Sequence, residues 1–103
     1  MALILPYTNG AGVEAKEAYH RIIKVIYLAS GESTVEVDVY FSKKTGSDGS
    51  DPIDTYVTQF TMNVGKGSAN VKEQAYTAVK TKTQVVDNKG RVIAMDFSKA
   101  QDD

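Results

Sequence analysis

At 103 residues, with 42% apolar and 24% charged side chains, the chain has the composition of one ordinary globular domain, neither disordered nor fibrous. Its 12 Lys and Arg against 13 Asp and Glu leave a net charge of -1, so no global field draws in a polyanion such as nucleic acid. With no cysteine there is no disulfide, no thiolate nucleophile and no zinc-thiolate site.

In chain order, Met1-Ala2-Leu3-Ile4-Leu5-Pro6 carries a short apolar run before proline and no basic region, so it reads as a strand rather than a signal peptide or membrane span. Residues 13–16 suit a short strand and a helical turn equally. The run from Tyr19 to Leu28 has apolar residues on both faces: Ile22, Ile26 and Leu28 on one, Tyr19, Ile23, Val25 and Tyr27 on the other. So short a chain covers both faces of a strand either with its own elements or with another subunit. After the turn Ser30-Gly31-Glu32-Ser33, residues 34–41 alternate Val35, Val37, Val39 and Phe41 with polar partners, the period of a half-buried strand.

Residues 42–52, rich in Gly, Ser and Asp and closed by Pro52, read as a protruding, mobile loop. Residues 53–62 resume the alternation as a third strand, with Tyr56, Thr58, Phe60 and Met62 on one side. Gly65-Lys66-Gly67-Ser68 then breaks the pattern, and Ser68 or Asn70 is placed to cap a helix over residues 70–81, with Glu73 three residues beyond Asn70. Val71, Ala75, Ala78 and Val79 form its apolar stripe, and Lys80 and Lys82 suit its C-terminal end. Residues 84–86 and 91–97, joined by Asp87-Asn88-Lys89-Gly90, make a C-terminal hairpin. The expected fold is α+β in a single domain over residues 1–103: an antiparallel meander with one helix packed on it and a terminal hairpin.

The chemistry in the chain is sparse. His20 is the sole histidine, and a lone histidine on a mixed strand reads as a structural donor or a surface residue rather than a general base. Asp48, Asp51 and Asp54 lack the spacing of a calcium loop and read as a solvated acidic turn. Gly65-Lys66-Gly67-Ser68 lacks the full phosphate-loop pattern. No catalytic residue, metal or cofactor is expected, and neither nucleic acid nor membrane is an expected partner.

Six tyrosines without tryptophan suit surfaces dry at one end and wet at the other, as at protein interfaces. The expected partner contacts are Leu3 and Leu5, in a strand that could pair with a neighbour's sheet, together with Tyr7, Tyr19, Tyr27 and Tyr40. Tyr40 stands out on the nominally wet face beside Glu36 and Asp38.

Ala18-Tyr19-His20-Arg21-Ile22, the strand ending Val39-Tyr40-Phe41-Ser42, Phe60, and Ala75-Tyr76-Thr77-Ala78-Val79-Lys80-Thr81 together resemble a group of small virion proteins of tailed bacteriophages. The chain departs from that pattern at Val79, where leucine is usual, and in its extension beyond Lys82. The resemblance implies a noncatalytic structural subunit of the virion, made in the host cytoplasm and joined to other virion proteins in repeated, symmetric copies. Tail, tail tip or baseplate is the implied position, with capsid decoration or head-tail joining as a variant. From a different class, a small ligand- or carbohydrate-binding module, gripping through the sheet face and residues 46–52, is the alternative.

Overall fold

Alternating valines dictate the centre of the molecule. In the computed structural model, which describes residues 2–9, 12–27, 32–61 and 70–102, Val35, Val37 and Val39 are all buried along β5 (Glu32–Tyr40). Period two puts all three on one face. That strand pairs antiparallel on one side with β4 (Tyr19–Tyr27) and on the other with β6 (Asp54–Thr61), the expected meander. Val37 is the register partner of both Ile22 and Tyr56, so the three side chains share the core face.

The sheet is wider than the meander. β1 (Leu3–Ile4) pairs with β4, and β9 (Gln101–Asp102) pairs with the far side of β1. On the opposite side β7 (Gln84–Asp87) and β8 (Val92–Ala94) continue from β6 as the expected hairpin. The order is β8-β7-β6-β5-β4-β1-β9, every neighbouring pair antiparallel. β2 (Tyr7–Thr8) and β3 (Glu14–Ala15) form a separate two-stranded ribbon, which settles residues 13–16 as mainly extended.

The helix forms as α2 (Val71–Val79), capped by Asn70, whose side chain accepts from the Glu73 amide at 2.9 Å. Its buried residues are Ala75, Tyr76 and Val79; Val71 of the expected stripe is exposed. The helix ends before either lysine, and Lys80 instead reaches Asp102 of β9, Nζ to Oδ1 2.5 Å. Phe97 leaves the hairpin and sits fully buried in a single 3-10 turn, Phe97–Lys99.

Two expectations need correction. Residues 42–52 do not form only a protruding loop: Ser42 and Thr45 make a reciprocal capping box that starts α1 (Lys43–Ser47). Gly46 was one of the loop signals, yet its missing side chain is what seats the helix. A Cβ there would stand 2.7 Å from Cδ2 of Tyr19 and 3.4 Å from Cδ2 of Tyr40. The run after Tyr19 is not a simple two-faced strand either. A β-bulge between Ile22 and Lys24 inserts Ile23, so His20 and Ile22 before it and Val25 after it all oppose β5 residues on the core face. Ile23 and Ile26 are left exposed, as is Phe41, which falls beyond the end of β5. Of the expected turn Ser30-Gly31-Glu32-Ser33, Glu32 and Ser33 already belong to β5, paired with β6, while Ser30 and Gly31 lie outside the described residues, as do Leu28, Met62 and the Gly65-Lys66-Gly67-Ser68 break.

Burial ranks the core. Val37→Ala should cost roughly 1–4 kcal/mol and Gly46→Ala roughly 1–3 kcal/mol, the first by opening a cavity and the second by overpacking against Tyr19. Phe60→Ala, at a partly buried site, should cost less than the roughly 3–5 kcal/mol of a fully buried phenylalanine. Urea midpoints measure all three; a Gly46→Ala midpoint equal to that of the parent would show that α1 does not rest on Tyr19.

Candidate interaction surface

His20 stands at the centre of a buried polar network that includes Tyr56 and the Leu5 backbone. His20, on β4 and opposite Leu3 of β1, is 1% exposed. Its Nε2 lies 2.9 Å from the Leu5 carbonyl oxygen and its Nδ1 2.9 Å from the Tyr56 hydroxyl. A carbonyl only accepts, so Nε2 carries the proton and Nδ1 accepts from Tyr56. Tyr7 and Phe97 meet the imidazole edge-on at 5.7 and 6.4 Å between ring centroids. Tyr7 donates to Asp54 Oδ2 at 2.6 Å. Burial pushes the His20 pKa down to about 4, against the partial opposition of the Leu5 bond. Burial likewise raises Tyr7 and Tyr56 above the ordinary phenol range, and the Asp54 carboxylate adds to the rise at Tyr7.

A concavity of about 440 Å³ opens beside this network, lined in part by Asn9, Asp54, Thr55, Lys89 and Arg91. Its polar groups are largely engaged in the fold. Asn9 donates to the Ile53 carbonyl and accepts from the Val13 amide, and Asp54 accepts from Tyr7 and from the Thr55 amide. Arg91 Nε donates to Asp87 Oδ2 at 2.7 Å. At Asp87 desolvation raises the pKa, but the amides of Arg91 and Lys89 and the Arg91 guanidinium outweigh it and hold the carboxyl low. Among the described residues no group of three or more His, Cys, Asp or Glu side chains is placed to hold a metal ion.

The structure redistributes the expected contact residues. Leu3, Leu5, Tyr7 and Tyr19 are buried within the chain itself, which removes them as exposed partner contacts. The reason is topological: β1 lies between β4 and β9 and is not an open edge. Tyr19 is covered by α1 at Gly46. Tyr40, its register partner, is half-buried, with its hydroxyl 3.5 Å from Asp38. Tyr27 alone of the six is prominently exposed, at 49%.

Beside Tyr27 stand two residues not expected there, Ile23 at 48% and Ile26 at 43% exposure. The bulge turns them outward, and the broken alternation of Ile22-Ile23-Lys24-Val25-Ile26 is the trace it leaves in the sequence. β1 occupies the outer edge of β4 only at Tyr19 and His20. Farther along, the Ile22 amide is taken by the hydroxyl of Tyr76 at 3.1 Å. Beyond that point no described strand pairs with this edge of β4. Among the described residues this stretch of the β4 edge is uncovered and carries three large apolar side chains, while Ser33, opposite Tyr27, is buried with no hydrogen-bond partner for its hydroxyl among those residues. Compared with known protein families, curated proteins and solved structures, the chain shows no significant match.

Two outcomes follow from the network. Removing residues 1–7 should unfold the chain, read as loss of its circular dichroism, because Leu3, Leu5, Tyr7 and the His20 acceptor go together; a folded truncation would show that β1 is dispensable. The folded state holds His20 neutral down to about pH 4, whereas an unfolded histidine takes up its proton near pH 6.5. Stability from this group is therefore complete above pH 6.5 and lost as the pH falls toward 4, by roughly 3 kcal/mol. Denaturant midpoints across that window should fall more steeply for the parent than for His20→Gln, and parallel slopes would refute the assignment.

Proposed function

We propose that the chain is a noncatalytic structural subunit of a tailed-phage virion, in the tail, tail tip or baseplate, acting through protein-protein contacts. The observation that carries this reading is the contrast between the two polar and apolar regions of the molecule. Buried polar groups such as His20, Tyr56 and Asp87 are bonded to one another or to the backbone, which gives them a structural use. Large apolar side chains, in turn, stand exposed along a strand edge that no described strand covers, the kind of surface that associating proteins cover. The resemblance of Ala18-Tyr19-His20-Arg21-Ile22 and Ala75-Tyr76-Thr77-Ala78-Val79-Lys80-Thr81 to small virion proteins supplies the setting. Both motifs serve the same spot in the fold, since Tyr76 caps the Ile22 amide. Capsid decoration or head-tail joining uses the same contacts at another position in the particle.

Mass spectrometry of purified particles tests membership: the chain should be present in stoichiometric copies, and its absence would sink the virion reading. An Ile23→Lys/Ile26→Lys double variant should fold normally, because both side chains are exposed, yet fail to enter the particle. Normal incorporation would move the contact away from β4.

A further inference from the structure

We draw no further inference here: the strongest candidate, the polar concavity between Asn9, the start of β6 and the β7–β8 turn, belongs to the site already described, its Asn9, Asp54 and Arg91 side chains are held by contacts within the fold, and nothing in the structure shows what would fill it.

Discussion

The fold depends on one imidazole held neutral between a carbonyl and a phenol. His20 joins the Leu5 backbone, Tyr56 on β6 and the rings of Tyr7 and Phe97, so it ties the start of the chain to the middle of the sheet and to the turn after β8. The bond from Tyr56 needs the unprotonated ring in one tautomer, because Nδ1 can accept from the hydroxyl only without its own proton. A buried charged imidazole would face desolvation with no acid hydrogen-bonded to it, which is why burial rather than a neighbouring charge governs its titration. The nearest carboxylate in the network, Asp54, is occupied by Tyr7.

That hub explains why a short chain sustains a seven-stranded sheet. β1 and β9 contribute two residues each, too few to persist on ladder hydrogen bonds alone. Leu3 and Leu5 anchor β1 by burial, and the His20 bond to Leu5 fixes the segment beyond it. β9 is held from outside the sheet by the ion pair between Asp102 and Lys80. Its carboxylate is largely solvent-exposed, so the ladder to β1 contributes more than the charge pair.

The central meander and α2 were legible because their evidence is periodic: the valines of β5, the Tyr56 face of β6, and Asn70 with Glu73 at the helix start. The β7–β8 hairpin was legible from Asp87-Asn88-Lys89-Gly90, where the Asp87 side chain accepts the Lys89 and Arg91 amides. What failed were features in which a tertiary contact reverses a local signal. Gly46 marks a loop by propensity, yet here it admits a helix against Tyr19. Ile22 through Ile26 break period two, and one inserted residue accounts for the break better than two buried faces do. Leu3, Leu5, Tyr7 and Tyr19 were expected at an interface because nothing in one sequence distinguishes a strand that joins its own sheet from one that joins a neighbour's. The candidate surface itself was legible only through Tyr27; Ile23 and Ile26 needed the bulge to place them.

The bulge divides β4 into two halves that answer to different constraints. Before it, Tyr19, His20 and Ile22 are locked to Leu3, Val37, Val39, Tyr56 and Tyr76, so a change there disturbs several partners at once. After it, Lys24, Ile26 and Tyr27 are exposed and bear little of the core. Because the kink absorbs the change of phase, substitutions in the distal half need not propagate back into the proximal half. The surface of β4 can therefore diverge, acquiring new specificity while the scaffold beneath it stays the same.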